Sequence, residues 1–411
     1  MIKWLRKSYN IVVNSIAFFP AIIAIGFLLL SWAMLELDFS AMGKQIKGNY
    51  SWVRLKDAST ARSIVSTIAS GIISLTVFSF SMVMILLNQA ASQMSNRMLE
   101  SMIGNRFQQI ILGFYIGTIV YALFLLSTIR DIYSGVYIPA LSIYLLLLLT
   151  VLDIFLFIYF LHYVTQLVKF EIIIGHVGKK TFKSLKKACF VEQPFPFEPQ
   201  GNPQHINVPD SNFFQEFNKM AMLELAVEFE GMIRFLKPAG SFLLKGIPLL
   251  AFFGTKKLTE EDKKRIIDTV DFYKGQPIEK NHYFGFHQLA EVAIKALSPG
   301  INDPETAVLA VNALTGLFLI RMENIIKTVF EDNDGHARIK TCEWDFEPLF
   351  LECFQPIWEY GKKDLYIQNE LRSTMEQLKY SDKDGHYTVL YDKFLGLINA
   401  QVADNVFTTI K

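Results

Sequence analysis

The chain reads as an α-helical membrane protein: four transmembrane helices, then a cytoplasmic α+β domain that is mainly helical and holds a small β-sandwich-like module. Three observations predict this. Of its 411 residues 51% are hydrophobic and 19% charged, and a mean hydropathy of +0.28 is too apolar for soluble domains alone. Apolar runs at residues 11–35, 64–87, 107–129 and 137–168 each reach the roughly 20 residues that a helix needs to cross about 30 Å of hydrocarbon. Charge is split: residues 1–190 hold 17 Lys/Arg against 7 Asp/Glu, while residues 191–411 hold 23 against 32. Basic residues beside spans serve topology and anionic lipid, whereas an acidic second half argues against nucleic acid as its partner.

The first span follows Lys3, Arg6 and Lys7, the flank of a signal peptide, but its length and the spans after it point to an uncleaved anchor. Near the span ends, Lys and Arg number 11 on the side of the N-terminus and 6 on the other. The positive-inside rule therefore places both termini and the large C-terminal half in the cytoplasm. Cys189, Cys342 and Cys353 form no CxxC pair, which suits a reducing compartment and predicts neither a disulfide framework nor a zinc site.

In the second span Thr67, Ser74, Ser81, Asn88 and Ser95 recur with a seven-residue step on one helical stripe, with Ser63 and Ser70 beside it. Such a stripe suits lipid poorly. Two readings stand: close packing between helices through small hydroxyl residues, or the lining of a water-filled path in an oligomer. Residues 88–106 then mix Gln, Ser, Asn and Arg with Met and Leu, predicting an amphipathic continuation at the cytoplasmic face that turns back at Gly104.

Asp153 stands mid-way along the fourth span among Leu, Ile, Phe, Tyr and Val, where insertion scales charge about 2.5–3.5 kcal/mol for a carboxylate. It needs a partner, a proton or water, as a structural contact inside the bundle or as an ion or proton site. His162, nearer the cytoplasmic end, has no His or carboxylate at ligand spacing and reads as interfacial.

The domains predicted are a four-helix membrane domain over 1–168, a basic helix and Pro-rich connector over 169–209, and a cytoplasmic α+β domain over 210–411. Lys179, Lys180, Lys183, Lys186 and Lys187 cluster where they can meet anionic headgroups. GHVGKKT, residues 175–181, has the wrong glycine and lysine spacing for a phosphate loop and lies in a helical segment. Pro194, Pro196, Pro199, Pro203 and Pro209 mark the connector. Residues 231–253 alternate short apolar runs with Pro238-Ala239-Gly240 and Lys245-Gly246, the punctuation of strands and tight turns. The pattern is similar to the small β-sandwich of biotinyl and lipoyl carriers, without a lysine in a matching acceptor turn.

Thr259 with Asp262 predicts a capped helix start. Phe286, Leu289, Ala290, Ala293 and Leu297 then repeat at helical spacing opposite His287, Glu291 and Lys295, and the helix stops at Ser298-Pro299-Gly300, where Gly supplies the turn. Asp303 caps the next helix, with Pro304 at its first position and Glu305 in its first turn. Its apolar stretch, 307–320, is 14 residues, short for a span and so a buried core helix or an oligomer contact. Residues 344–380 and 388–400 also read as helices. A second reading makes the turn a site: Asn302, Asp303 and the open carbonyls ending the preceding helix could hold a cation or polar ligand, with His287 and Glu291 nearby.

Two stretches resemble a known family, bacterial predicted membrane proteins catalogued as domain of unknown function 2254. One covers residues 66–123, with STIASGIISL, SQMSNRML and QQIILGFYIGTIVYAL; the other is FGFHQLAEVAIKALSPGINDPETA, residues 284–307. The central ALSPGINDP, residues 296–304, is that family's hallmark, and FLHYV at 160–164 also matches. Asn96 stands where a proline is usual after SQxS, and QPIEKN, 276–281, replaces a segment richer in Arg, Thr and Asp. The resemblance implies a bacterial inner-membrane protein and carries no activity.

No Ser/His/Asp set, Cys/His pair, HExxH or phosphate loop appears in the sequence, so an enzyme, a cofactor and a metal site are not expected. The leading expectation is a homo-oligomeric ion channel or transporter-like pore in the lipid bilayer, passing an ion or small solute, with the cytoplasmic half gating or assembling it. The alternative is a membrane-tethered sensor or scaffold without transport.

Overall fold

The computed structural model describes residues 17–49, 57–93, 106–129, 138–167, 169–190, 201–273, 278 and 281–409. The chain forms two compact units, Met1–Lys169 and Phe170–Lys411.

The first unit contains α1 (Phe18–Phe39), α2 (Ala41–Asn49), α3 (Ala58–Gln93), α4 (Arg106–Thr128) and α5 (Ala140–Leu167). The four apolar runs each fall on one helix; residues 11–16 of the first run lie outside the described residues. Helices α1 and α4 approach closely at Gly113 and Gly117, a G-x-x-x-G pair. A Cβ built on Gly113 would lie 2.6 Å from Ile23 Cδ1, and one on Gly117 2.7 Å from Phe27 Cγ. In a membrane, where water no longer drives apolar groups together, such close contact supplies the dispersion energy that holds helices. Helix α3 packs on α4 and α5, and Ala61, Val65, Ile68, Ala69 and Ile72 are its buried apolar side chains.

The second unit opens with α6 (Phe170–Ala188), amphipathic, with Ile173, Ile174, Val177, Thr181 and Leu185 buried. The remaining elements in chain order are β1 (Cys189–Phe190), β2 (Gln204–Asn207), β3 (Asn212–Phe217), α7 (Lys219–Glu228), β4 (Gly231–Phe235), β5 (Phe242–Leu243), β6 (Pro248–Gly254), α8 (Glu260–Ile267), β7 (Val270–Tyr273), α9 (His282–Ala296), α10 (Pro304–Glu323), β8 (Ile325–Ile326), β9 (Val329–Glu331), β10 (Ala337–Lys340), α11 (Phe346–Gly361), α12 (Leu365–Ser381) and α13 (Thr388–Thr409).

Helix α6 packs against α9 and α10, and β2 pairs with β6. The segment 169–209, expected as a connector, is therefore built largely into the second unit. The reason is an apolar stripe on α6 that the lysine count obscures; Lys179, Lys183, Lys186 and Lys187 occupy its exposed side. Pro194, Pro196 and Pro199 lie outside the described residues.

The strands predicted within 231–253 are β4, β5 and β6, but they do not form one module. β4 and β6 lie in a five-stranded sheet, order β2-β6-β4-β10-β9, and β5 in a three-stranded sheet, order β5-β3-β7. One apolar cluster including Phe214, Phe229, Phe235, Leu250, Phe252 and Ile339 joins the two sheets to α7 and α8. Gly240 (φ +88°) and Gly246 (φ +85°) make the turns, in a left-handed conformation that costs glycine nothing. Thr259 and Asp262 form the full capping box at α8.

Among the described residues, five helices are long and apolar enough to cross a membrane: α1, α3, α4, α5 and α10. The last corrects the expected length, because Pro304 to Thr306 and Arg321 to Glu323 add turns to each end and make 20 residues. It packs on α6, α9, α11 and α12 and buries Ala307, Val308, Ala310, Val311, Leu314, Leu317 and Phe318.

Candidate intramembrane site

Every described member of the polar stripe on α3 is exposed in the single chain: Ser63, Thr67, Ser70, Ser74, Ser81 and Asn88. Ser95 and Gly104 lie outside the described residues. Helix α3 turns Ala61, Val65, Ile68, Ala69, Ile72 and Ser79 inward, and the stripe is not covered by the described residues of the protomer's own bundle. Ser74 donates to the Ser70 carbonyl at 2.9 Å, the back-bond by which a lone hydroxyl is satisfied on a helix. Ile73, Val77, Phe78, Phe80, Met84 and Ile85 are exposed on the same helix.

Asp153, on α5, is 0% exposed, and neither carboxylate oxygen has a hydrogen-bond partner. Thr118 and Tyr115 of α4 are its neighbours, and Ser79 of α3 adjoins Tyr115. The hydroxyls of Ser79, Tyr115 and Thr118 are also buried and fall short of hydrogen-bond geometry. Three helices thus bring one carboxyl and three hydroxyls into the bundle interior. An all-oxygen set of this kind can keep a proton on the carboxyl or hold a hard cation.

A second carboxylate in the same unit is arranged differently. Asp38, in the last turn of α1, is also 0% exposed. Its Oδ1 accepts from Lys47 Nζ (3.1 Å) and from the Leu141 amide (3.1 Å), and its Oδ2 from the Ser142 amide (2.8 Å) and the Ser142 hydroxyl. It therefore caps the N-terminus of α5, where orphan amides and the helix dipole favour negative charge. Tyr121 of α4 donates to the Ser142 carbonyl at 3.1 Å, completing the tie.

In the second unit the signature turn is closed by its own bonds. The amides of Leu297, Ser298 and Asp303 donate to the carbonyls of Ala293, Lys295 and Ala296, at 3.0, 3.1 and 2.8 Å. Asp303 accepts from the Thr306 amide at 3.2 Å and hydroxyl at 2.6 Å. The carbonyls expected to be open are taken, and the left-handed position is Asn302 (φ +48°), not Gly300. His287 stands 3.6 Å from Glu352 of α11, with burial lowering its pKa, and Glu291 is exposed.

Among the described residues, Asp332, Asp334 and His336 form a group at metal-ligand spacing. Asp332 already accepts from Arg338 Nε (2.7 Å) and from the Asp334 and His336 amides (3.0 and 2.9 Å), which hold its pKa near about 2. That group reads as a braced turn.

A family model described as "Predicted membrane protein (DUF2254)" matches residues 13–377. The chain belongs to this family. It is thus an integral membrane protein with several candidate spans, in contact with the lipid bilayer. Uncharacterized proteins Mb1321c of Mycobacterium bovis and Rv1290c of Mycobacterium tuberculosis are each 24% identical over 272 residues, 62% of this chain. The chain spans 51% of their length. No solved structure matches. The family resemblance drawn from residues 66–123 and 284–307 is therefore confirmed by a match over most of the chain.

Asp38, Lys47, Ser79, Tyr115, Thr118 and Ser142 escaped the sequence reading. A signal existed for one neighbour alone: the spacing Gly113–Gly117 marks α4 as a close-packing helix and so points to the residues around it.

Proposed function

We propose that this DUF2254 protein is a homo-oligomeric ion channel or transporter-like pore of the bacterial cytoplasmic membrane. Helices α1, α3, α4 and α5 cross the bilayer, both termini face the cytoplasm, and the second unit gates or assembles the ring. Helix α10 stays in the second unit, where α6, α9, α11 and α12 pack on it and Ala307, Val308, Ala310, Val311, Leu314, Leu317 and Phe318 are buried. The observation that carries the reading is the exposure of Ser63, Thr67, Ser70, Ser74, Ser81 and Asn88 on one protomer. A row of hydroxyl and amide groups at membrane depth, even with the Ser74 hydroxyl back-bonded to its own helix, is better accommodated by sister subunits or water than by acyl chains. Asp153, beside the hydroxyls of Thr118 and Tyr115 with Ser79 beyond them, supplies an ion- or proton-binding group, and catalysis is not part of the proposal.

The test uses Ser74→Cys and Ser81→Cys in the full-length protein. The expected result is reaction with a water-borne thiosulfonate reagent, subunit cross-links between α3 copies, and ion flux in liposomes blocked by the reagent. Unreactive cysteines in a monomeric protein that passes no ions sink the proposal.

A second reading, a membrane-tethered sensor without flux, is favoured by a cavity of about 270 Å³ in the second unit. It predicts ligand- or partner-dependent pull-downs with no conductance.

A further inference from the structure

The cavity lies between the end of α6, strand β3, the start of α9 and residues 341–343, wholly inside the second unit. Two of its lining side chains are deeply buried and carry polar atoms without a hydrogen bond. Gln215 is 1% exposed, and both its amide oxygen and its amide nitrogen lack a hydrogen bond; His282 is 9% exposed and its Nε2 lacks one. A buried primary amide left wholly unpaired is costly, so each one in a fold calls for an explanation.

The backbone places that amide deliberately. Strand β3 pairs with β7 at Phe214↔Phe272 and then at Glu216↔Asp271, so Gln215 is the extra residue of a β-bulge. A bulge re-aims one side chain without breaking the ladder. Opposite, Asn281 caps α9 through the Tyr283 amide at 3.1 Å and is held against Gly240, where a Cβ would lie 2.3 Å from Asn281 Nδ2.

The walls define the ligand's shape and charge. Phe214 stacks on Phe235 at 5.1 Å and Phe217 packs on Phe235 at 4.7 Å, giving aromatic faces on one side. At about 270 Å³ the space is smaller than that of drug-sized ligands. Glu343 is engaged by the Tyr283 hydroxyl (2.9 Å) and by Thr341 (3.4 Å), and burial raises its pKa, so it does not present a free anion to select a cation. Burial, with Arg321 nearby, holds the His282 pKa down to about 4, so the imidazole is neutral at pH 7. The deeply buried groups without a hydrogen bond are thus neutral, an amide offering one donor and one acceptor side by side and an imidazole nitrogen, while the exposed Lys187 and Glu216 add one charge of each sign to the lining.

We propose that this cavity binds a small planar heterocycle carrying an amide-like donor–acceptor edge, the chemistry of a nucleobase or of nicotinamide. The edge pairs with the Gln215 amide, a second polar atom meets His282 Nε2, and the ring lies against the phenylalanines. This inference rests on the second unit alone and does not depend on conduction by the first.

The experiment uses the full-length protein in detergent, with adenine, cytosine, uracil and nicotinamide as probes, read by saturation-transfer NMR and by thermal shift. Wild-type protein binds at least one probe and is stabilised by it. Gln215→Leu, which keeps the volume and removes both bonding atoms, weakens that probe at least about tenfold. Gln215→Glu, which keeps the shape and removes the donor, weakens it too and serves as the readout if the leucine variant does not fold. Folded wild-type protein that binds none of the four probes overturns the proposal, as does unchanged affinity in either folded variant.

Discussion

Asp38 and Asp153 are equally buried in one helical unit, yet the first holds four polar contacts and the second none. Burial alone therefore does not make a carboxylate a structural tie; its partners do. Asp38 has its charge balanced by Lys47 and its lone pairs filled by the amides of α5, so it ties α1, α2 and α5 together. Asp153 sits beside buried hydroxyls that leave its oxygens without a hydrogen bond, so it does not tie helices together as Asp38 does; under the proposed function it is the ion- or proton-binding group.

The largest effect expected is at the satisfied site. Asp38→Ala removes the carboxylate that pairs with Lys47 and uncaps α5, and should cost about 3–5 kcal/mol, read as a fall in thermal stability of the detergent-solubilised protein. A variant as stable as wild type would dissolve the contrast. Next comes a close contact in the second unit: a Cβ on Gly285 of α9 would lie 1.8 Å from Thr181 Oγ1 of α6. Gly285→Ala should cost about 1–3 kcal/mol by overpacking, measured by the same melt, and an unaffected melt would mean that α6 is not docked as described.

Asp153→Asn should change stability by less than about 1 kcal/mol, because it removes no ion pair and no hydrogen bond. Flux in liposomes should change while the melt does not. A loss matching that of Asp38→Ala would reveal a structural partner and end Asp153's functional role. The smallest effect is on the outer stripe: Ser74→Cys should stay within about 0.5 kcal/mol of wild type, since the side chain touches nothing buried in its own protomer. Its labelling rate then reports the environment alone.

Local physics was legible and non-local pairing was not. The helices of the first unit follow from apolar length, the α8 capping box from Thr259 and Asp262, and the turns after β4 and β5 from Gly240 and Gly246. The α10 cap followed from Asp303, although the left-handed residue before it is an asparagine that a sequence reader passes over in favour of the neighbouring Gly300. Asp38 was invisible because its filling partner Ser142 is 104 residues away and no helical spacing links them. The same holds for the cluster around Asp153, assembled from three helices, and for Gln215, whose meaning depends on a bulge that only strand pairing creates. Exposure of the α3 stripe was a question that composition posed and only packing answered.

The Asp38 tie also bears on how the protein is made. The ribosome delivers Asp38 and Lys47 together but Ser142 a hundred or so residues later, so until the fourth apolar helix enters the membrane the carboxylate has a counter-ion and no helix to cap. Nascent chains halted in that interval carry an unfinished polar knot at the bilayer, the form that membrane quality control is built to find. Completion of α5 is thus the step that closes this tie within the first unit.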